Sequence, residues 1–165
     1  MRRTLADIAL SVLVLLVHTV LGKFLVVGDI SPDLPLVWIV YIAIRRGQIA
    51  GTITGFLFGL VLDALGASEG MIGLAALSKT LAGFISGYFY NENKTLQTLG
   101  GYQFIVILAI ASAVHNLCYF LIFLQGTTMS LGTVAFRYGL PTTLYTTAVG
   151  LIPMFGFSRS SQVHG

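Results

Sequence analysis

The chain has 165 residues, of which 56% are hydrophobic and only 9% charged, where a soluble domain carries roughly 25% charged residues. At about 20 residues per span, five or six membrane helices use nearly the whole length, which excludes a sizeable soluble domain. The formal charge of +3 would direct a soluble protein towards nucleic acid, but here the cations sit at helix ends, where they set orientation in a bilayer, and no nucleic-acid patch is present.

The first apolar segment covers about residues 5–21. Met1-Arg2-Arg3 before it has the outline of a signal peptide, yet Asp7 interrupts the run and no small-residue cleavage site follows His18-Thr19-Val20-Leu21-Gly22. A retained span is expected, with Asp7 in a solvated charge pair beside Arg2 and Arg3. The second segment, about 31–44, opens with Pro32 and Pro35, which suit a helix start. Further segments follow at about 48–65, 71–90, 102–124 and 133–157, the last interrupted by Pro141 and Pro153, which predict kinks. Charge decides whether the short second segment crosses. With six spans and a cytoplasmic N-terminus, Arg2, Arg3, Arg45, Arg46, Lys94 and Arg159 lie inside and Lys23 alone lies outside. Without that crossing the bias reverses. A single polytopic all-α domain with six transmembrane helices and both termini cytoplasmic is therefore expected.

The third segment carries Gly47, Gly51, Gly55 and Gly59 at four-residue intervals, with Asp63 next in the series. Residues four apart share a ridge of a helix, and small residues there let two membrane helices approach closely. The fourth segment has its own ridge, Lys79, Gly83 and Gly87. Asp63 stands roughly 22 Å from the inner end of its helix and Lys79 roughly 12 Å from the outer end of the next. In a core about 30 Å thick these are nearly one level, so an intramembrane ion pair is expected, independent snorkelling being the alternative. The ridge drifts by roughly 160° from Gly47 to Asp63, so two neighbours or one strongly crossing helix must cover it, and part of it is expected to stay open to a partner.

His115 and Asn116, deep in the fifth segment, and His18 in the first are expected to act as interhelical hydrogen-bond glue, since no acidic partner is identifiable at that depth. Arg137 is expected to snorkel as an anchor. Thr142, Thr143, Thr146 and Thr147 follow Pro141 and either line a polar path or satisfy carbonyls that the proline frees. Gly66-Ala67-Ser68-Glu69-Gly70 matches the G-x-S-x-G pattern, but that motif needs a strand–turn–helix on a soluble sheet, and no base is expected near Ser68. No catalytic, cofactor-binding or metal-ligating residue is therefore assigned, and Cys118, the sole cysteine, allows no intrachain disulfide.

The stretch 31–90 resembles the MreD family, small integral membrane proteins of the bacterial cell-elongation machinery. Pro32-Asp33-Leu34, Tyr41-Ile42-Ala43-Ile44-Arg45-Arg46-Gly47, Gly51, Gly55-Phe56-Leu57-Phe58-Gly59-Leu60 with Asp63, and Gly73-Leu74-Ala75-Ala76-Leu77 carry the resemblance. From Lys94 onward the likeness is one of hydropathy. Lys79 and the linker from Gly66 to Ile72 depart from the family pattern. The resemblance implies a non-enzymatic inner-membrane scaffold organising peptidoglycan synthesis and cell shape. The implied partners are a MreC-like single-span protein, RodA with its penicillin-binding synthase and, indirectly, MreB filaments. It also implies a fold similar to the substrate-binding subunits of energy-coupling-factor transporters. The alternative is a vitamin-type small-molecule binding subunit of a transporter, which requires a polar cavity open to the outer side.

Overall fold

The computed structural model describes residues 2–28, 30–66, 72–125 and 130–162. Among these residues no strand forms. Helix α1, Arg2–Leu21, runs into a 3-10 turn, Gly22–Leu25. Next come α2, Leu34–Arg46, α3, Gln48–Ala64, and α4, Leu74–Gly87. A short α5, Thr95–Leu99, precedes α6, Tyr102–Phe123. The last helical stretch is α7, Leu131–Val134, a π-turn, Ala135–Gly139, and α8, Leu140–Gln162. Helix thus occupies each of the six apolar segments. Among the described residues, only α6 is both long and apolar enough, taken alone, to cross a membrane.

α2 has 13 residues and is therefore about 20 Å long. Its apolar residues lie on all sides, and it sits in the middle: Leu36, Ile39, Val40, Ala43 and Ile44 are fully enclosed. A helix that is apolar all round demands such a place. Neighbours on several sides, chiefly α3 and α4, meet that demand. Leu36, Val40 and Ile44 form one core with Ala82 of α4, Leu99 of α5 and Phe104, Ile107, Leu108 and Ala111 of α6.

The closest helix pair is α3 with α4. Gly51 faces the carbonyl of Gly83, where a Cβ would lie 2.7 Å from the oxygen, and also faces Ala43 of α2. Gly55 lies against the Lys79 backbone and Gly59 against Ala75 and Ala76, while Gly87 lies against Gln48. Each turn up α3 is met by a turn down α4, so these glycines bring two antiparallel backbones into contact. α4 and α2 together cover Gly51, and α4 covers Gly55 and Gly59.

Gly47 departs from the expected ridge. It breaks the chain between α2 and α3 at φ +90°, a left-handed value that favours glycine, and its N–H closes α2 on the Ala43 carbonyl at 2.9 Å. This one-residue break reverses the chain, so α2 and α3 run antiparallel.

α1 meets the bundle mainly through α2. Asp7 accepts from Arg45 at 3.1 Å and also pairs with Arg46, both at the end of α2. This corrects the expected solvated pairing of Asp7: the residue is buried, because the last turn of α2 brings two guanidinium groups against it. Higher up, the Trp38 indole donates to Ser11 at 2.8 Å.

Candidate functional site

A cluster of enclosed polar groups, with Asp33, Asp63, Lys79 and His115 among them, lies at the end of the bundle where α2 and α4 begin. Asp63 reaches from the end of α3 to the start of α4. Its Oδ2 accepts from the amides of Gly73 at 2.9 Å and Ala76 at 3.0 Å, and its Oδ1 from Ala75 at 3.0 Å. The first amides of a helix have no intrahelical acceptor, and the helix dipole places positive charge there, so a carboxylate is well suited to the position. Asp63 is thus a long-range cap for α4, which corrects the expected pairing with Lys79.

Lys79 pairs with Asp33 instead. Asp33 is the N-cap of α2: its Oδ1 accepts from Leu36 N at 3.0 Å, and its own amide donates to Thr146 Oγ1 of α8 at 3.0 Å. Its Oδ2 takes the Lys79 ammonium and lies 3.3 Å from His115 Nε2. One residue, through its carboxylate and its amide, therefore links α2, α4, α6 and α8. Helical rise puts Asp63 and Lys79 near one level but does not fix the azimuth of either side chain. Asp63 turns to the amides at the head of α4, while Lys79, one to two turns further along α4, turns towards α2.

His115 thus has the acidic neighbour that the sequence did not disclose. The signal was present in the Pro32-Asp33-Leu34 opening, since an acid directly before a proline-started helix is a preferred N-cap. Asn116 behaves as interhelical glue: its Nδ2 donates to the Gly139 carbonyl at 3.1 Å and to Thr143 Oγ1 at 2.9 Å. The π-turn ends two residues before Pro141, which supplies no amide and whose ring crowds the preceding turn. Thr143 and Thr147 donate to carbonyls one turn earlier, at 2.8 and 2.6 Å, whereas Thr146 holds Asp33 and Thr142 lines a cavity. Arg137, in the π-turn, lies 5.7 Å from the Tyr138 ring centroid.

That cavity, of about 370 Å³, is bounded by His18, Asp33, Lys79, His115 and Tyr119 among others. Lys79 and His115 are both more than nine-tenths buried. Nδ1 of His18 and Nδ1 of His115 are buried without a hydrogen-bond partner. The arrangement is suited to polar recognition. Among the described residues, no three His, Cys, Asp or Glu side chains group as metal ligands. Ser68 and its G-x-S-x-G neighbours fall largely in 67–71, outside the described residues.

A second cavity, about 380 Å³ and apolar, lies between α1, α2 and α8, bounded by Leu13, Val17, Trp38, Val149 and Ile152.

Neither the curated proteins nor the solved structures provide a match to the chain. A family model described as rod shape-determining protein MreD matches residues 1–160. The chain belongs to the MreD family, membrane proteins of the bacterial cell envelope that act in rod-shape determination.

Proposed function

We propose that the chain is a non-enzymatic, multi-pass scaffold of the inner membrane that holds a MreC-like single-span protein beside the wall synthases of the rod complex, RodA and its penicillin-binding partner. Membership of the MreD family is the observation that carries this reading. The use of the polar groups supports it. Asp63 caps a neighbouring helix, Asp7 ties α1 to α2, and Asn116 ties α6 to α8. These groups maintain a shape.

The same bundle suggests where a partner helix would lie. α1 exposes Leu5, Ile8, Val12, Leu16 and Val20, and the apolar groove between α1, α2 and α8 runs alongside it. A single membrane helix from a partner fits such a groove by apolar packing. Six crossings with both termini cytoplasmic accord with charge placement: Arg45, Arg46 and Lys94 fall at the end of the bundle where α1 starts, and Asp33 and Asp63 at the other.

The test is photocrosslinking in native membranes, with the crosslinker replacing Leu13 or Ile152 in the groove, or the exposed Leu57 of α3, which does not line it. The expected product is an adduct with the MreC-like protein from the groove positions and little from Leu57. An adduct only from Leu57, or none from the groove, would sink this docking arrangement.

A further inference from the structure

Two cavities meet across the seam between α6 and α8. On the bundle side is the polar cavity that holds the Asp33–Lys79 pair. On the other side is an apolar groove of about 350 Å³ between α6 and the α7–α8 stretch. Its walls include Leu117, Phe136 and Leu140, all exposed. Asn116 and Phe120 border both spaces. The π-turn brings Gly139 beside the Phe120 ring, 3.1 Å from where a Cβ would sit, so the seam at this point is one aromatic ring against a glycine.

The polar cavity has a defined surplus of hydrogen-bonding groups. The Lys79 ammonium carries three N–H groups, and one goes to Asp33. Among the described residues no other acceptor takes the remaining two. The imidazole of His18 adds a further donor, its Nδ1 having no partner, whereas His115 turns Nε2 to the Asp33 carboxylate and so offers its own unpartnered Nδ1 as an acceptor. On the acceptor side, Asp33 Oδ1 takes, among the described residues, only the Leu36 amide and retains one lone-pair site. The donor surplus suits a phosphate. The charges, one ammonium and one carboxylate, are already balanced, so a ligand that is only anionic would leave uncompensated negative charge in a low-dielectric site. A ligand that carries its own primary ammonium avoids this, with that ammonium on Asp33 Oδ1 and His115 Nδ1 and its phosphate on Lys79 and His18.

We infer that the polar cavity holds the phosphoethanolamine head of a membrane lipid, one acyl chain of which leaves through the α6–α8 seam into the apolar groove. The adjoining groove is the reason for a lipid source over a soluble one. A choline head has no N–H to give Asp33, and a glycerol phosphate head has no cation.

Native mass spectrometry of the full-length protein, purified from membranes and exposed to equal amounts of phosphatidylethanolamine, phosphatidylcholine and phosphatidylglycerol with identical chains, tests this. The expected result is retention of phosphatidylethanolamine about tenfold above either competitor, the effect of a single charge-assisted hydrogen bond. His18→Leu removes a cavity donor without breaking an internal hydrogen bond. It is expected to lower that retention about tenfold at an unchanged unfolding midpoint. Asp33→Asn combined with Lys79→Met is expected to erase the preference among headgroups. Leu140→Trp fills the groove and is expected to lower retention of all three lipids. Equal retention of the three lipids by the native chain, undiminished retention by His18→Leu, or a preference that survives the double substitution would overturn the assignment. So would displacement of the lipid by an equal concentration of soluble phosphoethanolamine, which would place the source in solution.

Discussion

Asp63 satisfies three amides at the start of α4 with two oxygens. In Asp63→Asn one of those oxygens becomes an NH2 group facing an N–H, so at least one bond is lost and a donor meets a donor. The expected cost is about 1–3 kcal/mol, read as a lower thermal unfolding midpoint in detergent. Asp63→Asn with an unchanged midpoint would show that the cap contributes nothing. Asp33 and Lys79 behave differently because each leaves a buried charge when the other is removed. Asp33→Asn and Lys79→Met are each expected to cost about 3–5 kcal/mol, and the double substitution clearly less than their sum. A double-mutant cycle of unfolding free energies measures that coupling, and additivity would rule it out. The residues that matter here were legible as charges in apolar surroundings. Their partners were not, because position along a helix fixes depth, whereas the partner depends on which way the side chain turns. Asp33 was the hidden member: it lies before its helix, so its depth could not be read from helical rise.

At the scale of elements, the small residues of α3 and α4 were the most legible feature. The four-residue interval predicts close backbone approach, and Gly51, Gly55 and Gly59 lie against α4 for that reason. Gly47 shares the interval but not the ridge, because a reversal of the chain needed its positive φ. Spacing alone does not distinguish a packing glycine from a turn glycine. Gly55→Ala would drive a methyl group into the Lys79 backbone, which has no flexible end to yield, and is expected to cost about 1–3 kcal/mol. Gly156→Ala in α8 meets open space and is expected to be neutral or stabilising by up to about 1 kcal/mol. The same unfolding assay compares the two, and equal effects would mean that helix propensity, not packing, governs Gly55. The π-turn before Pro141 was half legible. The proline announces a disturbed helix, but whether the chain kinks or takes in an extra residue is settled by the neighbours, here Phe120 and Asn116 against Gly139.

At the scale of the molecule, the proposed topology requires a helix of 13 residues to reach across a core about 30 Å thick. α2 needs no contact with lipid along most of its length, because other helices surround it. Its polar ends are cared for within the protein: Asp33 caps one end, and Asp7 meets Arg45 and Arg46 at the other. A membrane segment enclosed by protein is not held to the length required of a lone helix, which is why hydropathy alone left this crossing open and the distribution of arginines had to decide it. Cysteine labelling in intact cells tests that decision. Cys118 is the sole native cysteine, so Cys118→Ser provides a background without a reactive thiol. On that background, Gly28→Cys between α1 and α2 is expected to react with a membrane-impermeant reagent from outside. Asn93→Cys between α4 and α5 is expected to react only after the membrane is opened. If α2 turns back without crossing, both positions lie outside and both react in intact cells. Labelling of Asn93→Cys from outside would therefore remove the crossing and place Arg45 and Arg46 on the outer face, against the positive-inside rule.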